Sequence, residues 1–139
     1  MVPYGTQEWL DEYKARINSS EEYRTAAENW EGELAFVFEA EPDMNWPETR
    51  YALLDLWHGE CRRAWMGSEQ EAEAVPFVIR APYSRWKQVT RGELDPIKGM
   101  MQGKLRLKGD LPTIVRYVRA SNELVNLAKD IPTNFPDEE

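Results

Sequence analysis

The sequence predicts an α+β fold, with one β-sheet covered on one face by helices. Segments with strand-like alternation cluster in the middle of the chain, and segments with helical spacing gather towards its ends. Turn residues separate the two kinds of segment without the regular strand–helix alternation of a parallel α/β fold. The 139 residues fit a single domain, 1–139. A chain of about this size buries roughly 68–70% of its unfolded surface, enough for one substantial core.

Two amphipathic helices are expected within 1–30. The first, 6–18, is capped by Thr6 and carries Trp9, Leu10, Tyr13 and Ile17 at helical spacing. The second, 20–29, is capped by Ser20 and carries Tyr23, Ala26 and Ala27. After Gly32 the period changes. Residues 33–40 alternate, with Leu34, Phe36, Phe38 and Ala40 on one face and Glu33, Val37 and Glu39 on the other. Two prolines in 42–47 make a loop. Residues 50–57 and 60–66 read as a hairpin closed by His58-Gly59. Gly67 to Ala74 reads as a polar, acidic loop, and 75–81 as a fourth strand with Pro76 at its start.

A short helix over 85–91 is expected after a Ser84 cap. Asp95-Pro96 supplies a cap and a first-turn proline for a helix over 96–102, with Ile97, Met100 and Met101 on its apolar face. Residues 104–108 alternate again, with Lys104, Arg106 and Lys108 facing outward. Asp110 opens one long helix over 111–129, whose stripe is Leu111, Ile114, Val115, Val118, Leu124, Val125 and Ala128. Two prolines and three acids make 131–139 a loose acidic tail.

The net charge of −8 argues against a nucleic-acid partner, because phosphate binding needs a basic field, and disfavours simple electrostatic docking on anionic lipid. One cysteine, Cys61, and one histidine, His58, cannot build a disulfide or a thiolate or multi-histidine metal site. No phosphate loop, dinucleotide fingerprint or nucleophile elbow is present, so neither cofactor nor metal is expected. No run approaches the ~18 apolar residues of a membrane span, and no secretory signal is visible, which points to the cytoplasm.

Catalytic alternatives are few. His58 lies at a turn, with Asp55 or Glu60 as its nearest orienting acid, and an incidental turn histidine is the commoner meaning. Cys61 lies in an alternating strand, where a small buried thiol is the usual role. Asp55 sits in the apolar run 51–57, on the face of Leu53 and Trp57. There it needs a partner such as Arg63 or Arg80 if that face is buried. Met100 and Met101 are flexible apolar surface, suited to core filling or to an adaptable ligand wall. Lys98, Lys104, Arg106, Lys108, Arg116 and Arg119 make a local basic region.

The stretch from Pro82 to Arg119 carries a more specific pattern. A short helix around Trp86 is followed by Gly92-Glu93-Leu94-Asp95-Pro96. A second helix leads to Met100-Met101-Gln102-Gly103-Lys104-Leu105-Arg106-Leu107-Lys108-Gly109-Asp110 and a final helix. This resembles the C-terminal half of the sterol carrier protein 2 family over about 30 residues of close spacing. The resemblance implies a five-stranded, mainly antiparallel sheet with helices packed on one face. It also implies an apolar tunnel between sheet and helices for a fatty acid, fatty acyl-CoA, phospholipid or sterol. The 41–49 loop, Trp9 and Trp30 lie outside the pattern and favour a fatty-acyl ligand over a sterol.

The expected tunnel wall is Trp86, Ile97, Met100, Met101, Ile114 and Val118, with Phe36 and Phe38 from the sheet. Its expected volume is about 300–1,000 Å³. The expected function is non-catalytic binding and transfer of a hydrophobic ligand, without stable membrane insertion. The alternatives are a protein-interaction module, with a homodimer as its simplest form, and an accessory domain of an enzyme acting on hydrophobic substrates.

Overall fold

The computed structural model describes residues 1–139. The chain runs β1 (Val2–Pro3), α1 (Gln7–Asn18), α2 (Glu21–Ala26), β2 (Glu31–Glu39), β3 (Arg50–Trp57), β4 (Glu60–Gly67), α3 (Glu69–Glu73), β5 (Phe77–Pro82), α4 (Tyr83–Thr90), α5 (Pro96–Met101), β6 (Arg106–Lys108), α6 (Leu111–Arg116), α7 (Val118–Lys129) and β7 (Thr133–Asn134). Five strands form the main sheet in the order β4-β3-β2-β5-β6. Only β2 and β5 run parallel; the other three pairs are antiparallel. The α+β class is as the sequence pattern predicts, and the five-stranded, mostly antiparallel sheet is as the resemblance implies.

Alternation along β2 sorts its side chains between two cores. Leu34, Phe36 and Phe38 join the large core with aromatic residues of α1, α2 and α4. Ala35 and Val37 face the other way and meet Leu53, Val78 and Ala72. The β3–β4 turn needs two consecutive left-handed residues, and His58 (φ 50°) and Gly59 (φ 81°) supply them.

The structure departs from the sequence reading in four places. The acidic segment 67–74 contains α3, whose Ser68 and Glu71 form a reciprocal capping box. Ala72 of this helix covers part of the second sheet face. Ser84 is not a cap; it lies inside α4, and its N–H donates to Glu41 Oε1 at 2.6 Å. The helix expected over 111–129 breaks at Tyr117 (φ −107°, ψ 35°), whose ring meets Trp30 edge-on at 5.0 Å.

The fourth departure is the tail, which is pinned rather than loose. β7 pairs parallel with β1, and Val2 N–H donates to Pro132 O at 2.8 Å. Ile131 and Phe135 are buried. Lys87 Nζ reaches Asp137 Oδ2 at 2.7 Å and Glu138 Oε2 at 2.6 Å, while the Tyr83 hydroxyl donates to Asp137. A proline-rich acidic end is held here by partners far away in sequence.

Two stability predictions come from these contacts. Gly5 has φ +72°, and a Cβ there would lie 2.2 Å from the ring of Trp46, which is fully buried and cannot yield. Gly5→Ala should cost about 2–4 kcal/mol in a denaturant titration. Burial acts to raise the Asp137 carboxyl, but the hydrogen bonds from Lys87 and Tyr83 outweigh it and hold the group below its ordinary range. The folded state therefore binds this proton less readily than the unfolded chain. The stability it contributes is complete above about pH 4 and fades as pH falls through the lowered value. Asp137→Asn should lower stability by about 1 kcal/mol at neutral pH. Thermal melts of the two proteins should draw together as pH falls through the lowered value.

Candidate functional site

A cavity of about 140 Å³ lies between the large-core face of the sheet and the helices. Of the 27 residues around it, 23 are hydrophobic, and none is Asp, Glu, Lys, Arg or His. Its floor is the inward-facing register of the sheet: Leu34, Phe36 and Phe38 of β2, Ala52, Leu54 and Leu56 of β3, and Ile79 of β5. These positions recur every second residue, as the pleat requires. Trp9, Leu10 and Tyr13 of α1, Tyr23 of α2, and Trp86, Val89 and Thr90 of α4 form the walls. The α6–α7 segment covers the cavity with Ile114, Tyr117, Ser121, Leu124 and Val125 at spacings of three and four.

The polar ends of the large rings turn away from the void. Trp86 Nε1–H donates to Val37 O at 2.8 Å, and Trp30 Nε1–H donates to Gly32 O at 3.0 Å. The Tyr13 hydroxyl donates to Leu124 O at 2.8 Å, and the Tyr4 and Thr90 hydroxyls pair at 2.7 Å. Buried N–H and O–H groups need such partners. Burial also pushes the Tyr4, Tyr13 and Tyr23 phenols above their ordinary range, so they stay neutral at physiological pH.

Five of the eight residues expected at the site border the cavity: Phe36, Phe38, Trp86, Met100 and Ile114. Three do not. Ile97 is buried in the core one turn before Met100 without reaching the void. Met101 is 68% exposed, because the next residue along a helix points about 100° away from Met100. Val118 is 44% exposed, because the break at Tyr117 turns Ala120, Ser121 and Leu124 inward instead. The volume is also below the range expected for a tunnel, since aromatic rings fill much of the space between the layers. Trp9, Tyr13 and Tyr23 were missed as wall residues, although their helical stripes were readable.

The other candidate residues lie elsewhere. His58 is exposed and meets Glu31, not Asp55 or Glu60, at 2.5 Å and away from the cavity lining. Asp55 pairs with Arg62 through two hydrogen bonds of 3.1 Å, not with Arg63 or Arg80. A β-bulge between Asp55 and Leu56 inserts Arg62 into the register and accounts for this. Trp46 of the 41–49 loop is buried against Tyr83 rather than placed on the cavity rim.

The family model described as the SCP-2 sterol transfer family matches residues 10–120. This chain belongs to that family. The SCP-2 family binds and transfers lipids or sterols and is generally non-catalytic. Among solved structures, a crystal structure of sterol carrier protein 2 is 36% identical, with a TM-score of 0.82 over 92% of this chain and 98% of that one. A conserved hypothetical protein from Thermus thermophilus, described as a candidate sterol carrier protein, is 38% identical. Its TM-score is 0.83 over 94% of this chain and 90% of that one. Palmitated SCP2L2 from Aedes aegypti shares the fold at 13% identity, with a TM-score of 0.58 over 84% of this chain and 94% of that one. The comparison with curated protein sequences gives no match. No helix is long and apolar enough to cross a membrane.

Cys61 is fully buried within the large core, and burial pushes its thiol up to about 11. At pH 8 its reaction with an aromatic disulfide reagent should be on the order of a hundredfold slower in the folded protein than in urea. Equal rates would show that the thiol is accessible.

Proposed function

We propose that this chain is a non-catalytic carrier that takes the apolar part of a lipid, most simply a fatty-acyl chain, between its sheet and helices. The observation that carries this reading is an apolar cavity without a single charged side chain in its wall. Such a wall accepts only the uncharged part of a ligand, because an ionised carboxylate buried there would lack a partner. The polar head therefore stays at the surface while the chain is buried. Each buried CH₂ contributes about 0.8 kcal/mol, so a long chain needs no polar anchor.

The cavity's present volume is close to that of an engineered apolar cavity of about 150 Å³ that holds benzene. A longer ligand enters by displacing α7, where Ala120 and Ala128 of the wall are buried but the larger Leu124 and Val125, with Ser121, are only half-buried. The exposure of His58 and the raised thiol of Cys61 support a role without catalysis. A single reduced thiol suits work in the cytoplasm.

Titration with a fluorescent fatty acid should give saturable one-site binding. Met100→Glu should weaken it by about tenfold or more, because it places a charge in the wall. Gln70→Glu on the exposed surface of α3 should leave it unchanged. No saturable binding by the folded protein would sink the carrier reading.

A further inference from the structure

The cavity wall is unevenly sealed. Its α1, α2 and α4 residues Trp9, Tyr13, Tyr23 and Trp86 are buried. On α5 and α6–α7, Ile114, Ala120 and Ala128 are buried, but Pro96, Met100, Tyr117, Ser121, Leu124 and Val125 are half-buried, so the cavity meets solvent on this side. The same elements carry three of the chain's exposed large hydrophobic side chains: Met101 at 68%, Val115 at 42% and Val118 at 44%.

Charge is segregated in the same place. Residues 96–119 hold six basic side chains and one acid, Asp110, in a chain of net charge −8. Of the six, only Arg106 pairs with a carboxylate, that of Glu39. Lys98, Lys104, Lys108, Arg116 and Arg119 have no ion-pair partner, so five uncompensated cations cluster within this stretch; elsewhere Arg16, Arg62, Lys87 and Arg91 are paired and the other basic residues are spread along the chain. Asp110 is engaged by the Thr113 hydroxyl.

The geometry points to a docking surface for anionic lipid, made by α5, β6, α6 and the start of α7, with the cavity mouth turned towards the bilayer. Unpaired cations complement anionic headgroups, and Met101, Val115 and Val118 supply apolar side chains for the interface. An acidic protein partner would use the cations alone. A lipid surface uses the cations, the exposed apolar groups and the mouth together, and it spares an apolar cargo a passage through water. The acidic remainder of the chain does not prevent contact, because charges further than about 8 Å from the surface are largely screened at physiological salt. The mouth's purpose rests on the carrier reading above, whereas the contact itself needs no cargo.

The test is co-sedimentation with phosphatidylglycerol-containing vesicles and with pure phosphatidylcholine vesicles. Binding is expected to the first and not the second, with loss in high salt. The exposed substitutions K98E together with K104E, and separately V118D, should each weaken it by roughly tenfold or more while the circular dichroism spectrum is retained. Equal binding to the two vesicle types, no binding to the anionic ones, or unchanged binding by the variants would overturn the docking surface. Fluorescent fatty acid titration of the same proteins separates the two ideas. Cargo binding without vesicle binding removes the docking surface alone, and vesicle binding without cargo binding removes the carrier reading alone.

Discussion

Tyr4 joins the ends of the chain to its middle. Its ring meets Trp9 of α1 at 5.3 Å, Phe38 of β2 at 5.7 Å and Phe135 after β7 at 5.0 Å. Its hydroxyl is paired with Thr90 at the end of α4. A phenol buried this deeply needs a polar partner, so Thr90 fixes where the ring sits, and the ring in turn fixes two terminal segments, a strand and a helix. Tyr4 and Thr90 also border the cavity. The void therefore depends on the same contact that closes the fold.

A cavity in a protein core is unstable against collapse unless its walls are rigid, since close packing is the ordinary state of an interior. Here indoles supply the rigidity. The Nε1–H groups of Trp9, Trp30, Trp46, Trp65 and Trp86 each donate to a named oxygen: Thr133 Oγ1, Gly32 O, Phe38 O, Glu71 Oε2 and Val37 O. Three of these rings, Trp9, Trp30 and Trp86, border the void, and their hydrogen bonds hold them back from filling it. The high tryptophan content is thus tied to leaving space as much as to filling it. The α7 side contributes no indole and is hydrogen-bonded to the rings only through the Tyr13 hydroxyl at Leu124 O, so the wall has a firmer half and a more yielding half.

What could be read from the sequence was what depends on local pattern. The alternation of Phe36 and Phe38 with Val37 identified the cavity floor, and the His58-Gly59 pair identified the hairpin. Asp95-Pro96 located the start of α5, where the Asp95 side chain accepts from both Ile97 and Lys98 N–H. α3 escaped because Glu69–Glu73 has no apolar stripe; the spacing of Ser68 and Glu71 was its one readable sign. The break at Tyr117 escaped because the apolar stripe runs through it, and only the distant Trp30 ring reveals where Tyr117 is held. Val118 and Met101 were misplaced for the related reason that periodicity shows which faces are apolar and not which of them meet. The order of the tail depends on Tyr4, Tyr83 and Lys87, whose distance along the chain hides the contact from any local reading.

The parallel pairing of β1 with β7 also sets an order of events during synthesis. Val2 lies beside Thr133, and Tyr4 cannot pack against Phe135 until that residue has left the ribosome. At about 5–20 residues per second, the N-terminal segment waits on the order of ten seconds for its partner. Through that interval the floor of the cavity and the N-terminal aromatic residues lack their final cover. The nascent chain thus passes through a stage with its most apolar face open, and closure waits for β7 and Phe135.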